Sequence, residues 1–262
     1  MPSETPTYFA YHACANAFSG HFTRPFVETI DVQAGSSLPV TGGHGSSCVE
    51  NFQFHKFISF RRGYTHVSGG FQDSDSSNNT LVTSVLENLN MLDILTAGRI
   101  VCRLYSKHPQ KAPEGRITMH GSLFQNLAIC GHPAKINLDF ALFEDIQTYE
   151  QAQAAYKSND RFKKVASDPL QSGQVLPDQK CNGAFLCSLV KDGGIQLNAP
   201  GVKVAGHSIY VPGFGKVFFA EVMISHGTRT LTMLRFELGS TTGGGGSGGS
   251  GTTNGKHYPP GG

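Results

Sequence analysis

Near the start of the chain, Tyr11-His12-Ala13-Cys14 places an imidazole and a thiol two residues apart. On a strand the two would project from one face, where together they suit a soft metal or a small ligand. Zinc needs at least three protein ligands, and no second pair with ligand spacing accompanies them. His44, His55, His120, His207 and His226 could join them only through the fold. His12 and Cys14 are therefore the candidate ligand-binding residues. No catalytic residue, metal site or cofactor is assigned.

Three further stretches carry suggestive residue types. "GGHGSSC" (42–48) offers His, Ser and Cys in a glycine-rich setting. It matches neither a G-x-S-x-G elbow nor a phosphate-binding loop ending in GK[ST], and it reads as a flexible turn. "DSDSSNN" (73–79) begins like a calcium loop, with Asp73, Asp75, Ser77 and Asn79 at alternate positions. Asn78 stands where that loop needs glycine, and Ser84 where it needs its bidentate glutamate. "FISFRRGYTH" mixes aromatic and basic residues as a single-strand nucleic-acid platform would, but two arginines without a wider basic groove are too few. No nucleic-acid partner is expected. The net charge of +2 and a charged fraction of 15% point the same way, because such binding rests on neutralising many phosphates.

The stretch "HSIYVPGFGKVFFAEVMISHGTRTLTMLRFELGS" (207–240) holds histidines, arginines and glutamates within apolar surroundings. Alternation puts Phe218, Ala220, Val222 and Ile224 on one face of a strand. It puts Leu234, Phe236 and Leu238 on one face of the next. A turn at Gly227-Thr228-Arg229 then sets Glu221 opposite Arg235 and His226 opposite Thr230. Opposite charges across a ladder stabilise it by about 0.2–1 kcal/mol, so these polar residues read as the wet face of a sheet.

The elements that must position these groups are mostly strands. The 262 residues include 32 Gly, 13 Pro and 18 Phe but no Trp, a balance that favours many short strands separated by turns. "FVETIDV" (26–32) alternates, and "NFQFHKFISF" (51–60) puts Phe52, Phe54, Ile58 and Phe60 on one side. "QAGSSLPVTGGHGSS" between them is a turn-rich connection. "RIVCRLY" (99–105) and the segments of 116–143 also read as strands, with a turn at Gly131-His132-Pro133. One helix is expected at about 148–165, announced by a capping box at Thr148 and Gln151. It is polar almost all round and so belongs at a surface or in a flap. Strands resume at "GAFLCSLV" and "GIQLNAP".

From Gly239 the composition becomes "GSTTGGGGSGGSGTTNGKHYPPGG". A Gly/Ser tail of this kind cannot bury enough apolar area, so it is expected to be a flexible coil unless a neighbouring subunit holds it. The domain is expected to span 1–239 and the tail 240–262. Six cysteines at irregular spacing read as small, free, buried side chains. No apolar run approaches the ~20 residues of a membrane helix, and the first residues lack the basic and apolar regions of a secretory signal. The expectation is a cytoplasmic protein without a transmembrane segment, with leaderless export left open.

The succession "SLFQNLAICGHPAKI", "SIYVPGFGKVFFAEV" and "LTMLRFEL" resembles bacterial choice-of-anchor surface domains. The resemblance implies an all-β, non-catalytic domain from a bacterium, and it assigns no functional residue. Together these readings predict an all-β sandwich or jelly-roll-like packing of antiparallel sheets with one surface helix insertion. The function expected is a non-enzymatic structural or interaction protein, a homo-oligomer assembling through sheet faces, edges or the C-terminal tail. The alternative is a β protein that holds a small ligand or metal with histidines in its mouth, one that could also act as an enzyme.

Overall fold

The computed structural model describes residues 8–110, 112, 114–166, 184–239 and 242–258. Cys181, the first seven residues and the outer ends of the glycine-rich stretch lie outside this set. In chain order the first strands are β1 (Tyr8–Arg24), β2 (Glu28–Gln33), β3 (Ser36–Ser37), β4 (Gly43–Phe54) and β5 (Ile58–Gln72). Then come β6 (Ser77–Met91), β7 (Leu95–Pro109), β8 (Arg116–Thr118), β9 (Leu123–Ile129) and β10 (His132–Leu138). Three short helices follow: α1 (Phe140–Glu144), α2 (Tyr149–Ser158) and α3 (Asp160–Val165). The chain returns to strand in β11 (Phe185–Ser188), β12 (Val190–Leu197), β13 (Lys203–Ala205) and β14 (Ser208–Val211). It closes with β15 (Gly215–Ser225), β16 (Thr228–Leu238) and β17 (Gly243–Tyr258).

Two antiparallel sheets pack face to face. The first runs β13-β14-β15-β16-β17-β1-β2, with β11 beside β15 and β3 beside β1. The second runs β12-β10-β9-β7-β6-β5-β4, with β8 beside β7. The expected all-β sandwich is what forms. Its core is phenylalanine-rich at one end, where Phe18 stacks on Phe236 and Phe52 on Phe60. At the other end it turns polar: the Tyr11 hydroxyl donates to Asn78, and Ser106 bonds Thr253 between the sheets at 3.0 Å.

The glycine-rich stretch is not a loose tail. Residues 243–258 form β17, which lies between β16 and β1 and pairs with both along most of its length. Its missing side chains explain the placement. A Cβ on Gly248 would come within 2.8 Å of Leu86, and one on Gly251 within 2.8 Å of Val82. Side chains of the second sheet occupy the space that β17 leaves empty. The coil expectation failed because it weighed only the surface β17 could bury with its own atoms. The backbone of β17 is covered by its neighbours' side chains, and the apolar burial is theirs.

Other corrections are local. "NFQFHKFISF" is not one strand but a hairpin: β4 ends at Phe54, β5 begins at Ile58, and Phe52 faces Phe60 across it. The same four apolar residues share a face, because the sequence reads almost alike from either end. "GGHGSSC" runs into β4 and is mostly strand. The expected helix exists with its capping box intact, but it breaks at Asn159, whose side chain caps α3. It is also docked into the body of the protein, burying Tyr149, Ala152 and Phe162.

A line of defects crosses each sheet and spoils simple alternation. In the second sheet the ladders skip the facing positions Asn51, Arg61, Asn88, Gly98 and Asn126 on consecutive strands. The three asparagines have positive φ, between 51° and 55°, a conformation that Asn tolerates better than most residues. In the first sheet the skipped row is Ala17, Gly249, Met233 and Ala220, with positive φ at Gly249 and Ala220. On both sides of each row the side chains change parity. Val217 and Phe219 point inward before the row, and Val222 and Ile224 after it. Phe218, expected inward, therefore lies on the outer face.

Candidate binding trough

The β15–β16 hairpin turns at His226-Gly227, so Phe218 faces Arg235 and Glu221 faces Thr232. The register differs by three residues from the one expected, and His226 sits in the turn itself. Glu221 and Arg235 nevertheless meet, because the arginine reaches along the sheet. Its Nε and Nη2 donate to the Glu221 carboxylate at 2.5 and 2.8 Å, while its guanidinium lies 3.7 Å from the Phe218 ring centroid. His207 Nε2 stands 3.3 Å from the same carboxylate. Burial would raise the Glu221 pKa, but hydrogen bonds and charge from Arg235 and His207 prevail and hold it at about 2. This cluster is a satisfied ion-pair network on the outer face.

The outer face of the β1–β17 pair is different in kind. Facing residues run Ala10–Lys256, His12–Asn254, Cys14–Thr252, Asn16–Ser250, Ser19–Ser247 and His21–Gly245. Almost all are small and polar. They floor three hollows in a line. The first, of about 590 Å³, lies among His21, Asp31, Arg235, Glu237 and Ser247. The middle one, about 330 Å³, is lined by Cys14, Asn16, Ser36, Ser37, Ser250 and Thr252, and shares Val32 with the first. The third, about 770 Å³, takes in His12, Glu114, Arg116, Glu150, Lys256 and Tyr258. Between Ala10 and His21 on β1 the trough extends roughly 36 Å at the usual rise per residue.

The β2–β3 segment borders the first two hollows, and Arg235, Phe236 and Glu237 of β16 border the first. On the β16 side, Thr230 bonds Thr252 at 2.9 Å and Thr232 bonds Ser250 at 3.3 Å, so two hydroxyl pairs join the floor to β16. Beneath the middle hollow, Asn16 Oδ1 and Ser36 Oγ are buried and have no hydrogen-bond partner among the described residues. Among the described residues, charges are confined to the two ends, where acids and bases accompany one another.

The third hollow is shaped by a residue that sequence reading missed. Glu114 accepts from the Gly227 N–H at 2.7 Å and from the Tyr149 N–H at 3.1 Å, and its Oε1 lies 3.9 Å from Arg229 Nη1. One carboxylate thus ties the β15–β16 turn to the start of α2. Arg229 is 1% exposed; burial lowers its pKa to about 10 although Glu114 opposes the shift. Nothing in the residues around Glu114 marks it, since its partners are far away in sequence.

His12 and Cys14 do share the outer face of β1, as alternation required, but they open into different hollows. Of the other histidines only His226 joins His12. His55 pairs with Glu28 at 3.0 Å, His120 with Glu144 at 3.4 Å, and His44 lies on β4. Among the described residues no three His, Cys, Asp or Glu side chains gather as metal ligands. The "DSDSSNN" stretch forms a turn in which Asp75 accepts from Ser77 and pairs with Lys107. The five described cysteines are free. Cys102 and Cys187 are buried as expected, and burial pushes the Cys187 thiol up to about 12; Cys48 and Cys130 are exposed.

No described helix is long and apolar enough to cross a membrane. No curated protein and no solved structure matches the chain. A family model described as "Domain of unknown function (DUF8256)" matches residues 9–174 and 161–225, which takes in all of the second sheet and every strand of the first but β16 and β17. The chain belongs to that family.

Proposed function

We propose that the protein is a non-enzymatic interaction module that holds a length of extended, uncharged polysaccharide along the β1–β17 trough. The observation that carries this reading is the line of three hollows over a floor of Ser, Thr and Asn side chains. Hydroxyls and amides both donate and accept, as sugar hydroxyls do, and the middle of the trough contains no charge that would select an ionic ligand. An extended peptide fits less well, because it would need backbone groups to pair with. Those of β17 are already engaged on both sides, by β16 and β1. Tyr258, 47% exposed at one end, offers a ring face on which a sugar can stack.

The test is electrophoresis through native gels cast with soluble neutral polysaccharides such as glucomannan, xyloglucan and hydroxyethyl cellulose. At least one should retard the protein, and Thr252→Lys, which raises a long side chain from the floor, should abolish the retardation. Asn16→Ala should weaken binding roughly three- to ten-fold, the usual effect of one lost hydrogen bond. Unchanged mobility in every neutral polymer would overturn the reading, as would retardation indifferent to Thr252→Lys.

A further inference from the structure

The four outer strands of the two sheets are protected unequally. Edges left open invite pairing with another chain, and proteins blunt them by shortness, charge, proline or a covering element. In the first sheet β13 has three residues, one of them Lys203, and β2 has six, preceded by Pro25 and carrying Glu28 and Asp31. In the second sheet β12 carries Lys191 and Asp192, and α3 lies beside it with Lys164 bonded to Asp192 at 3.1 Å. At the other end of that sheet, β4 is twelve residues long and, among the described residues, pairs only with β5. It contains no proline and no lysine. Its one acid, Glu50, has Arg62 at 3.6 Å on the inner neighbour.

We propose that the free edge of β4 pairs, antiparallel, with β4 of a second copy of this chain. A two-fold axis perpendicular to the sheet keeps outward residues outward, which restricts the register to pairs of like facing. The run before the positive-φ Asn51 is the straight part of the strand, and centring the axis on Ser47 uses all of it from His44 to Glu50. That register sets His44 opposite the second copy's Glu50, and Glu50 opposite its His44. It sets Ser46 opposite Cys48 on the exposed face. The pairing therefore sets an imidazole, able to donate, opposite an accepting carboxylate at each of its ends, and no like charges meet.

Sedimentation velocity over a wide concentration range tests the proposal. The wild-type protein should dimerise. Glu50→Lys should weaken association at least ten-fold, and adding His44→Glu should restore it by setting a carboxylate opposite the new ammonium. Circular dichroism of each variant separates lost pairing from lost folding. Independently, mild oxidation of Ser46→Cys should yield a disulfide-linked dimer through the native Cys48, and Ser46→Cys with Cys48→Ser should not. A monomer at all concentrations would overturn the proposal. So would a dimer indifferent to Glu50→Lys, or cross-linking that persists without Cys48.

Discussion

Strand β17 and the facing strands β6 and β7 divide one interface unequally. β17 turns Gly246, Gly248, Gly249 and Gly251 toward the second sheet, whereas β6 and β7 turn Val82, Leu86, Ile100, Cys102 and Leu104 toward the first. A packed interior needs its volume filled, and it is indifferent to which strand supplies the atoms. Glycine costs backbone entropy in a strand, and here that cost is offset by bulky side chains pressing on bare backbone. The division ends where the polar end of the core begins. There both sides present imidazoles, His108 from β7 and His257 from β17, each packed against the Phe9 ring.

Adding side chains to β17 should break the arrangement most severely. Gly246→Ala places a methyl 2.5 Å from the Ser19 carbonyl and 2.7 Å from the Phe236 ring. Backbone cannot yield as a side-chain tip can, so the loss should reach about 3 kcal/mol or more in urea unfolding.

Acid should expose the polar end. His108 is 4% exposed, its Nε2 has no partner among the described residues, and burial together with nearby His257 lowers its pKa from 6.5 to about 4. The folded ring stays neutral while the unfolded one takes a proton. Stability should therefore be level above pH 6.5 and decline as the pH falls from 6.5 toward 4, by about 3 kcal/mol in total. The same titration in His108→Leu should lack that part of the slope. Below about pH 4.5 a second decline is expected as Glu221, held at about 2, loses its advantage over the unfolded carboxylate.

Smaller effects sharpen the comparison. Asn88→Val puts a β-branched residue at φ 55° in the defect row, and should cost about 1–2 kcal/mol by chemical denaturation, while Asn88→Gly should be close to neutral. Gly251→Ala and Val82→Ala should each destabilise alone. Combined, they should recover about 1 kcal/mol relative to the sum, since one methyl fills the space that the other substitution vacates.

Much of the sandwich could be read from the residues, and the exceptions share a cause. Alternation located most strands, the capping box located α2, and opposite charges brought Glu221 to Arg235. Alternation assigns faces only while each residue reverses the last, and the positive-φ rows suspend that rule halfway along most long strands. Phe218 was misassigned for this reason. β17 carries no hydrophobic pattern because its burial is written into Leu86, Val82 and Phe236 on other strands. The trough was half legible: His12 and Cys14 do face outward together, but its floor comes from the stretch that looked least structured. Glu114 was invisible, since a carboxylate serving two distant N–H groups leaves no local trace.

The position of β17 also governs the order in which the molecule can be assembled. Tyr8–Arg24 emerges from the ribosome long before Gly243–Tyr258, and until then both β1 and β16 have a row of unbonded amides and carbonyls turned toward the gap. The second sheet from β4 to β10 pairs strands that are close in sequence and can form as it is synthesised. The first must wait, exposed to mispairing, for a segment too poor in side chains to collapse early by itself.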